Sequence, residues 1–252
     1  MPRHLVILGD SGVGKTRLLE GFASKYAKTE LPVRTHIPVM FPKMPSIPTP
    51  KRIIVAMLEA IGTPFATKGK SDEPMKQLKT LCAACDVRMI LLDEVSHLVD
   101  RGREKTHYRY GDALKEVVDD LGIPTVLTGV QRLSRLFDVN EQLRGRFSRR
   151  RTIRRFSIVD KRSLAEFRSV VHSFSAKLEG IDRVSLTSSE MLPQIHAATH
   201  GLLRPLVDLL KEAVDLADAQ APAKMTGQTL QAAFRRAIWD DAPEIRNPFS
   251  DS

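Results

Sequence analysis

Eight residues near the start of the chain, Gly9, Asp10, Ser11, Gly12, Val13, Gly14, Lys15 and Thr16, have the types and spacing of a phosphate cradle. They spell G-x-x-x-x-G-K-[ST], in which the glycines let successive backbone N–H groups curl around phosphate oxygens. Lys15 is placed to reach the β- and γ-phosphates of a nucleoside triphosphate, and Thr16 to hold Mg²⁺. An acidic pair, Asp93-Glu94, ends a run of four apolar residues further along. Asp93 is expected to orient Mg²⁺ through water, across from Thr16, and Glu94 to polarise the water that attacks the γ-phosphate.

Further candidates are weaker by type and position. Thr128, at the end of another apolar run, either bonds the γ-phosphate or its water or simply fills a strand end. The segment Leu143-Arg144-Gly145-Arg146-Phe147-Ser148-Arg149-Arg150-Arg151, followed by Arg154-Arg155, carries more guanidiniums than one domain can turn on its own phosphate. An arginine reaching into a neighbouring copy would stabilise charge on the transferred phosphoryl group, and Arg146 is the first choice, with Arg144 second. The other arginines then form a solvated face or a subunit contact. Arg204, at a helix start, either folds back onto the phosphates or is an ordinary surface residue.

Those residues need a scaffold, and the surrounding pattern predicts one. Leu5-Val6-Ile7-Leu8 enters the glycine loop as a buried strand, and Leu18, Leu19, Phe22 and Ala23 leave it on one helix face. A second strand is expected over 33–41, then a proline-broken loop, then a helix from Lys51 with Ile54, Met57, Leu58 and Ile61 inward. A helix over about 74–85 follows. Met89-Ile90-Leu91-Leu92 reads as an interior parallel strand. A polar segment over 101–111 leads into a helix through Leu121, a strand covers 124–129, a helical stretch 133–143, and a closing strand 152–158. From Asp160 the pattern is helical only, over 163–178, 189–199, 203–216 and 229–239, with a loose tail from Asn247. The fold class is therefore α/β. The expected domains are a nucleotide-binding α/β domain over 1–157, a helical lid over 158–243 and a flexible tail over 244–252.

At 252 residues, 42% of them hydrophobic, the chain has ample sequence for a core, and no apolar run approaches membrane-spanning length. Met1-Pro2-Arg3-His4 leads straight into the first strand, which leaves no room for a signal peptide and points to the cytoplasm. A formal charge of +9 suggests a polyanionic partner, although a solvated basic face would look the same. Cys82 and Cys85 form one C-x-x-C, which cannot complete a four-ligand zinc site; a reduced structural pair is favoured over a redox one.

The order of these parts resembles the AAA+ ATPases: glycine loop, Asp93-Glu94, Thr128, Arg146, helical lid with Arg204. More narrowly, the chain resembles the TniB/TnsC family of transposition regulators, through 9–16, 87–94, 123–133 and Asn140-Glu141-Gln142-Leu143-Arg144-Gly145-Arg146-Phe147. The resemblance implies a P-loop AAA+ fold with a parallel five-stranded sheet flanked by helices and a small helical lid. It also implies ATP and Mg²⁺ as cofactors, an ATP-dependent ring or filament of copies on double-stranded DNA, a DDE transposase as partner, and a TniQ-type targeting protein. The family's DNA-facing positions fall on Lys51, Arg52, Thr67, Lys68 and Lys70, with Arg103 and Lys105 further candidates. Lysines and small polar groups contact phosphates without reading bases. Family members usually carry more residues before the first strand, so how adenine and the transposase are held stays open. The competing reading from another class is a replication-initiator or helicase-loader ATPase that remodels a protein partner.

Overall fold

The computed structural model describes residues 3–45, 49–62, 73–98, 104–178, 181–219, 223–238 and 246–250. In chain order the first elements are β1 (Leu5–Gly9), α1 (Lys15–Ala23), β2 (Thr29–Glu30), β3 (Thr35–His36), β4 (Val39–Met40), α2 (Pro50–Ile61) and α3 (Glu73–Ala84). Then come β5 (Met89–Leu92), α4 (Glu104–Leu121), β6 (Thr125–Gly129), α5 (Ser134–Val139), α6 (Glu141–Arg146) and β7 (Arg149–Ile153). The remaining elements are α7 (Lys161–Ser175), β8 (Asp182–Arg183), α8 (Met191–Thr199), α9 (Leu203–Asp218), β9 (Lys224–Met225) and α10 (Gly227–Ala237).

The chain forms two compact units, one of residues 1–11 and 15–153, the other of residues 12–14 and 154–252. In the first, a five-stranded parallel sheet runs in the order β4-β5-β6-β1-β7. This is the P-loop AAA+ sheet that the resemblance implies, with β6 inserted between β1 and β5. Parallel strands need crossover helices, and these bury the sheet. Val6, Leu8, Ile90, Leu92 and Leu127 meet Ile53, Met57 and Leu58 of α2, Leu78 of α3 and Leu114 of α4 in one core. Both cysteines are buried there without a disulfide, and burial pushes the Cys82 thiol up to about 11, which disfavours the reactive thiolate.

Several predicted elements shift, each for a physical reason. The strand expected over 33–41 contributes only Val39–Met40 to the main sheet, and Thr35–His36 pairs instead with Thr29–Glu30. Pro38, which has no N–H to give a ladder, separates the two pieces, and Val33 is 96% exposed. On α1 only Lys15 and Leu19 are buried; Leu18 is 51% exposed, and Phe22 turns outward to lie 5.1 Å from the Tyr26 ring. The polar stretch expected over 101–111 is helical from Glu104, and the closing strand lies earlier than 152–158, on the arginine run itself. An end strand tolerates such a run because its side chains can reach water, and the charges also discourage edge-to-edge pairing.

The second unit has its own core, in which Phe167, Ile195, Leu206, Leu210, Leu230 and Phe234 meet. It is not purely helical: β8 and β9 pair in parallel. Nor is its end loose where described. Asn247 donates from Nδ2 to the Gln231 carbonyl at 3.0 Å and accepts from the Phe249 N–H at 3.1 Å, and Phe249 is 1% exposed in that core. We expect Phe249→Ala to destabilise this unit by about 3–5 kcal/mol, read from the shift of its urea transition in the full chain. A change under about 1 kcal/mol would return 246–250 to the status of a tail.

Candidate functional site

The site is assembled where β1 and β5 end, on either side of β6. Residues 10–14 turn the chain from β1 into α1, with Gly12 and Gly14 at φ 79° and 101°, a region that disfavours any side chain. Lys15, the first residue of α1, is buried. Its ammonium donates to the carbonyls of Gly9, at 2.9 Å, and Asp10, at 2.8 Å, so the loop and its lysine are already folded around each other. Burial lowers the Lys15 pKa, while the charges of Asp93, Asp10 and Glu94 raise it.

Asp93 is the hub. Its carboxylate, buried at the end of β5, accepts the Thr16 hydroxyl at 2.5 Å, the Thr128 hydroxyl, and the Glu94 backbone N–H at 2.8 Å. Three donors from three segments fix its orientation. Thr128 is fully buried, and its single hydroxyl proton is committed to Asp93 rather than turned toward a phosphate. Thr128 thus does more than fill a strand end: it aims the carboxylate.

Glu94 follows with φ 55°, a left-handed backbone that non-glycine residues adopt at a cost of about 1–3 kcal/mol. The turn sends the chain away from β5 just after Asp93, and Glu94 is exposed while Asp93 is buried. Neighbouring carboxylates are thus divided in role by environment: one is held by donors, the other reaches solvent. Thr16 and Asp93 together offer the hydroxyl and carboxylate oxygens that a hard divalent cation takes, and they are adjacent, so the residues fit Mg²⁺. Among the described residues no group of three or more His, Cys, Asp or Glu could hold a metal. A Mg²⁺ that relies on one carboxylate, one hydroxyl and substrate phosphates has no need of one.

Ser96 is a residue that motif reading missed. It is buried, and its hydroxyl accepts the Val130 N–H at 2.7 Å, tying the turn after β5 to the end of β6. A Cβ on Gly129 would collide with that oxygen, so only glycine fits beneath it. No motif marks Ser96; the signal was a glycine ending the strand beside the acidic pair.

The other expected residues are dispersed. Arg146 ends α6 and gives a forked contact to Asp119 of α4, with Nε to Oδ1 at 2.5 Å and the second nitrogen to Oδ2 at 3.1 Å. Arg144 pairs with Glu141 at 3.5 Å. Arg204 belongs to the second unit, where its backbone N–H donates to the Gly12 carbonyl at 3.0 Å and its guanidinium lies 3.7 Å from Asp208. Lys51 and Arg52 are exposed at the start of α2, which Thr49 caps by accepting the Arg52 N–H at 3.3 Å. Thr67, Lys68, Lys70 and Arg103 lie outside the described residues, as does the Lys105 side chain.

Known proteins share the fold. A family model described as bacterial TniB protein matches residues 1–157. No curated protein matches. Among solved structures, the ORC1 protein of Aeropyrum pernix in complex with DNA is similar at TM-score 0.61 and 19% identity, over 94% of this chain and 60% of that one. The Aeropyrum pernix ORC2 protein, in ADPNP–ADP complexes, gives 0.67 at 14% identity, over 95% and 63%. RuvB of Thermotoga maritima gives 0.53 at 15% identity, over 93% and 62%. The chain therefore spans under two thirds of these proteins, and at such identities the likeness is one of fold. No helix among the described residues is long and apolar enough to cross a membrane.

Proposed function

The chain belongs to the TniB family, and from that premise we propose that it is an ATP-hydrolysing regulator of DNA transposition that assembles on double-stranded DNA. The observation that supports this best is the meeting of Lys15, Thr16, Asp93 and Glu94 at the ends of β1 and β5. That set suits phosphoryl transfer from ATP to water, a reaction in which positioning and charge stabilisation do most of the work.

In this reading the loop N–H groups receive the phosphates, and Lys15 exchanges its two carbonyl partners for phosphate oxygens. Thr16 and Asp93 would hold Mg²⁺, which when bound neutralises charge on the β- and γ-phosphates. Glu94 takes the proton of the attacking water. Thr128 keeps Asp93 aimed throughout. Arg146 of a neighbouring copy reaches the γ-phosphate from outside, so the seam between two copies holds the nucleotide and its occupancy drives assembly. Lys51 and Arg52, with Lys68 and Lys70, contact DNA phosphates, and a DDE transposase and a TniQ-type protein join the DNA-bound assembly.

Electron microscopy of the protein with duplex DNA and a non-hydrolysable ATP analogue tests the proposal. Rings or filaments on DNA, absent without nucleotide, are expected. Assembly indifferent to DNA would favour a loader that acts on a protein partner instead. For the DNA surface, Lys51→Glu with Lys70→Glu is expected to weaken duplex binding about tenfold or more at fixed salt while ATP binding is kept. Equal affinity in a salt-controlled titration would move the DNA elsewhere on the molecule.

A further inference from the structure

A cavity of about 460 Å³ opens at the other end of the sheet, where β1 and β7 begin. Its walls include Arg3, His4, Asp119, Arg146, Ser148 and Arg149. Arg146 meets the Asp119 carboxylate there, and Arg3 and Arg149 line the same cavity. His4 adds little charge: it is 3% exposed, its Nδ1 accepts the Thr125 N–H at 3.2 Å, and its ring lies 5.0 Å from Phe147. Burial lowers its pKa, the Asp119 charge opposing and the Arg146 charge adding to that effect. Lys115, the remaining cation near Asp119, gives its ammonium to Gln142 at 2.8 Å.

Asp119 therefore serves chiefly Arg146. The fork-on-carboxylate geometry uses Nε and one terminal nitrogen, the same pair of donors that a phosphoryl group would take. The ion pair is not sealed in: its side chains are 38% and 31% exposed, so water screens it and an arriving anion can compete. The cavity alongside gives that anion room, and Arg3, Ser148 and Arg149 offer further donors.

We infer that Asp119 is a latch: it holds Arg146 against its own chain in the unassembled protein and releases it only when a second copy brings a phosphoryl oxyanion to this cavity. The inference rests on the proposed reading of Arg146 and adds a positioning residue to it. Asp119 touches neither substrate nor cofactor. It sets a threshold, since each seam must exchange one carboxylate for a phosphate before Arg146 can act, and a free chain with ATP in its loop keeps its arginine occupied.

The test is Asp119→Asn, which keeps the shape and removes the charge, with Asp119→Ala as a second variant and Asp119→Glu as the charge-retaining control. Turnover per chain is measured against protein concentration on excess duplex DNA and ATP, beside binding of a fluorescent ATP analogue. The Asn and Ala variants are expected to reach half-maximal turnover at about three- to tenfold lower protein concentration, with analogue affinity unchanged, while Asp119→Glu stays near the parent. A merely structural role for Asp119 would lower turnover rather than raise it at low concentration. A midpoint unchanged or raised in both charge-removing variants overturns the latch. If Arg146→Ala is inactive at the same time, the latch alone fails; if Arg146→Ala turns over normally, the role given to Arg146 fails and takes the latch with it.

Discussion

Arg146→Ala is expected to lower DNA-stimulated ATP turnover by about 10³-fold or more, with ATP affinity preserved. The size follows from when the contact is made. An arginine that meets charge developing on a transferred phosphoryl group acts in the transition state and contributes little to binding the ground state. The structure adds a reason to expect little harm to the fold. Arg146 is partly exposed at the end of α6, and its partner Asp119 is also partly exposed, so removing the guanidinium leaves a carboxylate that water can reach. Steady-state phosphate release, beside a nucleotide-binding titration, checks both halves. Turnover within about threefold of the parent would remove Arg146 from the reaction.

Glu94→Gln is expected to cost about 10²–10⁴-fold in turnover while the protein still binds ATP and assembles on DNA. The amide keeps the side chain's size, and glutamine meets the same backbone demand at φ 55°, so the turn after β5 and the Asp93 hub should survive. What disappears is the base. Because an occupied seam is proposed to drive assembly, Glu94→Gln filaments, which keep their ATP unhydrolysed, should also outlast those of the parent when free ATP is withdrawn. Unchanged phosphate release would exclude Glu94 as the base, and rapid disassembly despite arrested turnover would separate hydrolysis from release.

Much of the site could be read from residue types because its chemistry is local. Gly9 to Thr16 carries its loop and helix start within eight residues, and Asp93-Glu94 sits at the end of an apolar run that can only be a buried strand. Long-range partners could not be read this way. Nothing near Asp119 in the sequence points to Arg146, 27 positions away, and nothing near Ser96 points to Val130, 34 away. Thr128 was singled out at its strand end, but its bond to Asp93 could not be read, since that depends on how β5 and β6 are aligned. The last strand was expected at 152–158, after the arginine run, yet at the end of a sheet a strand can keep its arginines in water. Leu18 and Phe22 misled in the opposite direction: helical spacing reveals a face without saying which way it points.

At the proposed seam one copy grips the nucleotide and the next supplies the arginine, and mixing two disabled proteins on duplex DNA tests this most directly. Glu94→Gln retains Arg146, and Arg146→Ala retains Glu94 and an intact glycine loop. Each alone should be nearly inactive, and ATP turnover of the mixture should rise well above the sum of the two as seams form that join a working base to a working arginine. A mixture no more active than that sum, with both proteins shown to co-assemble on the DNA, would contradict a shared site.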